Sequence, residues 1–468
     1  MNRNLFLLTA IIAVLLEGCS LAPTYKRPEA PVPAQWPTSA AYQEAKAGPG
    51  TPQASELPWR EFFTDERLQK VIEIALSNNR DLRLAALNVE RAQAVYGIAR
   101  SGLFPAVYGG ASKSKSRLPG DLTNSGNPST STQYNVNLGI SSWELDFFGR
   151  IRSLRDAALE QYLATDQARR SAQILLVSAV ANTYLALAAD RENLKLAVST
   201  LETQSDAYRL TRKRHDVGMT SELDVRRAKS QVDTAHVDVA RFTQFVAQDE
   251  NALNLLAGSP VPQALLPPGL GNVSLPLEVS AGLSSELLLG RPDVLAAEHQ
   301  LMAANANIGA ARAAFFPRIS LTTVVGTASA QLSGLFRTGQ ETMSFIPQIS
   351  VPIFDAGMWN AYDVTKADRQ IFLTQYERAI QVAFREVADA LAVRGTVDRQ
   401  IEAQQWLVDD VAETYRLSLA RYTRGMDSYL GVLDSQRSLY AAQQGLIVLR
   451  LAWFANRVTL YKVLGGGA

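Results

Sequence analysis

Two stretches of this chain are copies of one another, and that repetition limits the fold more than any other feature. DLRLAALNVERAQAVYGIARSGLFP begins at Asp81, and DVLAAEHQLMAANANIGAARAAFFP begins at Asp293. At one constant offset Asp81 pairs with Asp293, Ala85 with Ala297, Gly97 with Gly309, Arg100 with Arg312, Phe104 with Phe316 and Pro105 with Pro317. A second pair follows: YRLTRKRHDVGMTSELDV from Tyr208 and YRLSLARYTRGMDSYLGV from Tyr415. A duplication of this length means two copies of one supersecondary unit, so the activity is to be sought in how the copies assemble.

Each copy holds long helix-forming runs. Between Gly149 and Gly218 there is neither glycine nor proline, and the stretch is dense in Ala, Leu, Arg, Gln and Glu, all good helix formers. One continuous helix over it reaches roughly 100 Å. The same purity holds from Gly218 to Gly258, from Gly357 to Gly395 and from Gly395 to Gly425, and, with two interior glycines, from Gly425 to Gly465. Ala172, Leu175, Leu176, Ala179 and Asn182 read as close-packed coiled helices. The plainer reading is a soluble bundle of shorter helices, because a break needs neither Gly nor Pro.

Short runs beside the helices alternate instead. In YNVNLGIS, Tyr134, Val136, Leu138 and Ile140 alternate with Asn135, Asn137, Gly139 and Ser141. Ile349, Val351 and Ile353 alternate with Gln348, Ser350 and Pro352, and Val107, Ile319, Leu321 and Val325 follow the two Phe-Pro pairs. Period-two alternation is a strand with one apolar and one polar face, as in a transmembrane barrel or in a soluble sheet with one wet face. Pro347 and Pro352 are expected near strand ends. Trp143, Phe147, Phe148, Phe315 and Phe316 suit aromatic girdles, and the polar stretch from Lys113 to Ser131 reads as an external loop. Two copies supply four strands, too few to close a barrel, whose smallest members have about eight. An open sheet edge is not tolerated in lipid, so membrane strands here require oligomerisation, as a dimer or a trimer.

The N-terminus reads as a secretory leader: Arg3, then an apolar run from Leu5 to Leu16, too short to span a bilayer. Leu16-Glu17-Gly18-Cys19 is similar to a bacterial lipobox, with Glu17 in place of the usual small residue; the alternative is an ordinary leader with a chance cysteine. Cys19 is the one cysteine, so no intramolecular disulfide forms. The expected organisation is a signal peptide over 1–18, a Pro-rich, lipid-anchored extended tether over 19–58, a first repeat over 59–270 and a second over 271–468. Forty-six basic against 45 acidic residues give no argument for a nucleic-acid partner. His215, His236 and His299 are scattered, and no P-loop, HExxH or GxSxG motif is present, which argues against an enzyme.

Lipobox, duplicated hairpins and two strand pairs together resemble the outer membrane factors, the TolC-like exit ducts of Gram-negative efflux pumps. The resemblance covers essentially all of the chain after the leader. Its strongest carriers are ELDFFGRIR (Glu144 to Arg152), VPIFDAG (Val351 to Gly357) and RYTRGMDSYLGVLDSQRSLY (Arg421 to Tyr440). Within that family the chain looks most similar to lipid-anchored members serving resistance–nodulation–division (RND) pumps for drugs and solvents. The resemblance implies an α+β membrane protein in the outer membrane. Its homotrimer shares a twelve-stranded β-barrel, four strands per chain, continued by a long periplasmic α-helical barrel. It further implies a periplasmic adaptor, an inner-membrane RND pump and outer-membrane lipids as partners. No cofactor is implied beyond diacylglyceryl and N-acyl groups on Cys19, and Ser20 after the cysteine leans toward the outer membrane.

The candidate site is a gate at the hairpin turns. Chain reversal there needs Gly218 and Gly425, and Met219 and Met426 mark tips for adaptor docking. Leu430 and Asp434 share one helix face, and Asp434 and Arg437 are spaced to pair. In a three-fold assembly Asp434 becomes a ring of carboxylates that attracts cations, and a leucine ring adds an apolar constriction. The resemblance implies that Asp434 lies at a closed periplasmic mouth and that Arg421 and Tyr422 help tie neighbouring helices shut, with Asp224 as the analogous partner after the first turn. Gly431 stands where some relatives carry a second aspartate, which leaves a double ring unsupported. The competing readings are a periplasmic adaptor lipoprotein, a structural coiled-coil envelope protein and, last, a lipoprotein enzyme.

Overall fold

The computed structural model describes residues 20–42, 52–54, 57–274, 276–280 and 284–466. The expected signal peptide over 1–18, Cys19 and parts of the expected tether lie outside the described residues. The main elements are α1 (Glu66–Asn78), α2 (Arg80–Ser101), β1 (Val107–Leu118), β2 (Ser129–Leu145), α3 (Arg150–Asp216), α4 (Glu222–Ala257), α5 (Pro292–Ala313), β3 (Arg318–Ser329), β4 (Glu341–Ser350), α6 (Ala356–Thr423) and α7 (Tyr429–Val463). The order helix, two strands, two long helices therefore occurs twice. Two compact units cut across these repeats. One takes the chain up to Glu29, Asn88–Thr165 and Ala296–Tyr376; the other takes Ala30–Leu87, Asp166–Leu295 and Glu377–Ala468.

The first unit carries a four-stranded antiparallel sheet in the order β1-β2-β3-β4. Residues paired across strands share a face. One face carries Val107, Ile140, Leu138, Val136, Val325, Phe345 and Met343, with Thr323 and Thr327 among them and Lys113, Lys115 and Arg117 toward the β1–β2 loop; the other is largely Ser, Asn, Gln and Gly, including Ser112, Asn135 and Asn137. A bulge between Ile140 and Trp143 interrupts the β2–β3 ladder, and Ser142 there adopts φ 51° while its N–H donates to Thr322 Oγ1 at 3.0 Å. Where strands meet helices, Phe148 stacks on Phe316 at 4.8 Å and Phe315 packs on Trp359 at 4.8 Å.

Two expectations are corrected here. Lys113–Leu118 is strand, not loop, because the β1–β2 ladder runs on to Leu118↔Ser129. Serine alternating with lysine is polar on both sides, so hydropathy cannot reveal the strand, yet the backbone pairs regardless. Pro347 sits inside β4 opposite Leu321, not at a strand end. β4 is an edge strand within the chain, the position in a sheet where proline is tolerated.

Residues 22–27, the start of the expected tether, pack along this unit's α5. Arg27 donates two hydrogen bonds to Glu298 at 2.6 and 2.7 Å, Tyr25 donates a third at 3.0 Å, and Asn305 donates to Pro23 O. The Glu298 side chain is only 5% exposed. A Cβ on Gly309 would stand 2.7 Å from Ala22, whereas its repeat mate Gly97 meets nothing. The duplicated glycine is thus used for close approach in one copy only.

The second unit is helical. Ile380, Ala383, Val387 and Ala390 of α6 are buried at heptad spacing, and α3 buries Val177, Val180, Ala181, Tyr184 and Ala188. α6 passes through Gly395 without a break, since that glycine admits the Ala41 carbonyl, 2.2 Å from where a Cβ would lie. Asp65 caps α1 by accepting from the Arg67 and Leu68 N–H groups. Tyr461 stacks on Phe62 at 4.0 Å and donates to Leu57 O at 2.6 Å, joining the start of the first repeat to the last helix in one core.

Candidate functional site: the hairpin tips

Both hairpins reverse by the same backbone device. Gly218 (φ 74°) and Gly425 (φ 73°) are left-handed, the conformation that ends a helix most cheaply with glycine. Around them Gly218 N–H donates to His215 O at 2.8 Å and Met219 N–H to Arg214 O at 2.8 Å. In the second copy Gly425 N–H donates to Tyr422 O at 2.9 Å and Met426 N–H to Arg421 O at 3.0 Å. Ser221 then caps α4 through Asp224 N–H. Met219 and Met426 both project into solvent at these tips.

Behind the turns the two hairpins are joined by an aromatic cluster. Tyr429, Val432, Leu433 and Ala228 are buried, and Tyr208, Tyr415 and Tyr422 pack against them. Tyr422 and Tyr429 are 5.0 Å apart, and the Arg214 guanidinium lies 5.1 Å above the Tyr422 ring. Burial, followed by the neighbouring Tyr422 and Tyr415, pushes the Tyr429 hydroxyl up to about 12. Tyr208 and Tyr415 are the repeat-related residues of the sequence, here brought to one place. Sequence reasoning missed the cluster, although tyrosines recurring every seven residues from Tyr415 to Tyr429 were its signal.

The opposite face of α7 carries Leu430, Asp434 and Arg437, all exposed. Arg437 approaches Asp434 to only 3.6 Å, a loose surface pair. Asp224, Arg421 and Tyr422 are not joined to one another by any hydrogen bond within the chain. Asp224 accepts from Thr220 at 3.0 Å and Ser221 at 2.9 Å. Against partial burial, those hydroxyls hold its carboxyl below the ordinary range. Arg421 pairs instead with Asp427 across its own turn, and the Tyr422 hydroxyl has no partner among the described residues. Asp427 was also missed, though opposite charges flanking Gly425 mark it.

No cluster of three His, Cys, Asp or Glu side chains stands ready for a metal among the described residues. What the arrangement can do is mechanical and electrostatic: two hairpins locked by tyrosines, presenting a row of one apolar and two charged side chains outward.

The chain matches the model of the family described as outer membrane efflux protein twice, over residues 71–259 and 283–466. It is 47% identical over 468 residues to the toluene efflux pump outer membrane protein TtgC of Pseudomonas putida, covering 100% of this chain and 96% of that protein. The antibiotic efflux pump outer membrane protein ArpC of Pseudomonas putida is 47% identical over the same coverage. Among solved structures, a membrane protein from Pseudomonas aeruginosa superposes with a TM-score of 0.89 at 39% identity, covering 96% of this chain and 98% of that one. Two matches in one chain, one per repeat, together with relatives similar over their whole length, set aside the adaptor and structural coiled-coil readings. This chain belongs to the outer membrane efflux protein family.

Proposed function

We propose that the chain is the passive, gated exit duct of a tripartite efflux pump for solvents, drugs or other toxic small molecules. The observation that carries this reading is the sheet: one apolar face, one polar face and two open edges, β1 and β4. Such a sheet spans a bilayer only when further copies close it. Three copies give twelve strands with the polar faces inward, and the twelve-stranded homotrimer rests on that arithmetic and on the family. The names of the relatives, a toluene pump and an antibiotic pump, support the substrate class.

In the trimer, Leu430 and Asp434 form rings at the periplasmic mouth, and Arg437 tempers each carboxylate. Met219 and Met426 at the tips meet the periplasmic adaptor, which favours the open arrangement by binding it more tightly. Energy comes from an inner-membrane RND pump; the duct needs no cofactor and performs no catalysis. Acyl chains on Cys19 anchor the tether to the membrane.

Single-channel conductance in planar bilayers tests this, with wild type beside Asp434→Ala. Small, cation-preferring currents that grow or lose selectivity in the variant are expected. Pores of unchanged conductance and selectivity would place the gate elsewhere, and no pores from a verified trimer would overturn the duct.

A further inference from the structure

The part of β1 that was expected to be loop carries three cations in strict alternation: Lys113, Lys115 and Arg117. Their partners on β2 are Tyr134, Thr132 and Thr130, which continue the face holding Val136, Leu138 and Ile140. The cations therefore lie on the apolar, lipid-facing side of the sheet, and the serines between them face the polar interior. They cannot tune the pore.

Their height is equally informative. From Leu145 to Val136 the β2 residues on this face are apolar or aromatic, with Thr323 and Thr327 of β3 beside them, and the run rises roughly 23 Å at about 3.3 Å per residue and a tilt near 40°, close to the apolar band of a membrane barrel. Tyr134 comes next, with the Lys113 ammonium 5.3 Å from its ring centroid, and Lys115 and Arg117 follow toward the loop that joins β1 to β2. That loop is at the end of the strands away from α2 and α3, hence at the outer leaflet and external surface. All of β1 is exposed, and none of the three cations has an ion pair with a described carboxylate. Glu341 is the one carboxylate on this face of the four strands, and it sits on the far edge, accepting from Gly339 N–H.

We propose that Lys113, Lys115 and Arg117 form a docking stripe for the phosphate groups of a phosphorylated glycolipid in the outer leaflet. Three cations with no carboxylate partner among the described residues of their own chain, just beyond an apolar band, complement an anionic headgroup whose acyl chains cover that band. Each cation near an anionic surface adds a further several-fold to binding, and the guanidinium can take a phosphate through two hydrogen bonds. The inference rests on the outer-membrane placement of the family, so barrel insertion is verified separately by its heat-dependent electrophoretic shift.

The test uses the full chain in phosphatidylcholine nanodiscs doped with bisphosphorylated lipid A or with lipid A stripped of phosphate. Lipid retained per chain is counted by native mass spectrometry. Wild type is expected to retain the phosphorylated form more than about tenfold over the stripped form. The variant Lys113→Gln/Lys115→Gln/Arg117→Gln should fall to the stripped level while still inserting, and Lys113→Arg/Lys115→Arg should keep the preference. Equal retention by wild type and the triple variant overturns the proposal. So does displacement of lipid A by millimolar inorganic phosphate, which would make the stripe a free-anion site. A triple variant that loses assembly but not lipid preference assigns the cations to Glu341 of a neighbouring copy, and also overturns it.

Discussion

Arg421 and Asp427 close the second hairpin turn on itself, the guanidinium at the end of α6 gripping the carboxylate that leads into α7. The guanidinium holds the Asp427 carboxyl below the ordinary range. The pair is exposed, so it contributes little to global stability. Its effect is local order at the tip. Asp427→Asn should leave the melting temperature within about 1 °C of wild type. Amide exchange over residues 424–428 should quicken several-fold. Because the folded-state pKa of Asp427 is depressed, the contact is intact above the ordinary carboxylate range and is lost as pH falls through the depressed value. The same exchange signal should then appear in wild type at low pH, and its absence there would break the link.

The tyrosine cluster makes a sharper pair of expectations. Tyr429 is buried among Ala228, Val432 and Leu433, so Tyr429→Ala should cost about 3–5 kcal/mol and loosen the tips, read as a lower urea midpoint and larger conductance. The Tyr422 hydroxyl is buried without a partner among the described residues. Removing an unsatisfied polar group is neutral or favourable, so Tyr422→Phe should be no less stable than wild type. If Tyr422→Phe instead opens the channel, the hydroxyl bonds to a second copy of the chain in the assembly.

Much of this fold was legible in the sequence because its signals are local. Alternation at Tyr134–Ile140 marked the strand, and the absence of helix breakers between Gly149 and Gly218 marked a single helix of 67 residues. Signals failed where structure depends on partners distant in the chain. Gly395 looks like a boundary but makes room for Ala41, and Lys113–Leu118 is a strand only because β2 is there to pair with it. The exposed row Leu430, Asp434 and Arg437 follows from helix spacing alone. The buried face does not: Tyr208 and Arg214, which pack on the cluster of Tyr422 and Tyr429, come from the other hairpin, which no periodicity in α7 encodes.

Register between hairpin mates also creates a pH-sensitive contact. Asp190 on α3 faces Asp249 on α4; burial, and then the Asp190 charge, push Asp249 up to about 6, and burial raises Asp190 as well. Asn193 hydrogen-bonds Asp190, while the adjoining Arg191 is taken by Glu250 at 2.7 Å, and neither carboxylate of the pair has an ion-pair partner among the described residues. A carboxyl with a raised folded-state pKa binds its proton more tightly when folded. Its contribution is therefore complete below the unfolded value near pH 4 and is lost as pH rises through about 6. Discounted for solvent screening, the loss is on the order of 1 kcal/mol. Urea midpoints should fall between pH 4.5 and 7, and Asp190→Asn should flatten that slope; an unchanged slope in the variant removes the pair as its source.

The tether offers an effect of the same size as Tyr429→Ala. Glu298 is almost wholly buried, and its charge is met by Arg27 through two hydrogen bonds and by the Tyr25 hydroxyl. Arg27→Ala strands that carboxylate and should cost about 3–5 kcal/mol, far more than loss of an exposed pair. Arg27→Lys should recover only part, because an ammonium cannot reproduce the two-pronged contact. Arg27→Ala/Glu298→Ala should be more stable than Arg27→Ala alone, since the buried charge is then gone. Thermal melting of the detergent-solubilised protein measures all three, and trypsin cleavage after Lys26 reports whether the tether has left α5. Should the double variant melt no higher than Arg27→Ala, the cost lies in lost packing of the tether rather than in an unpaired carboxylate.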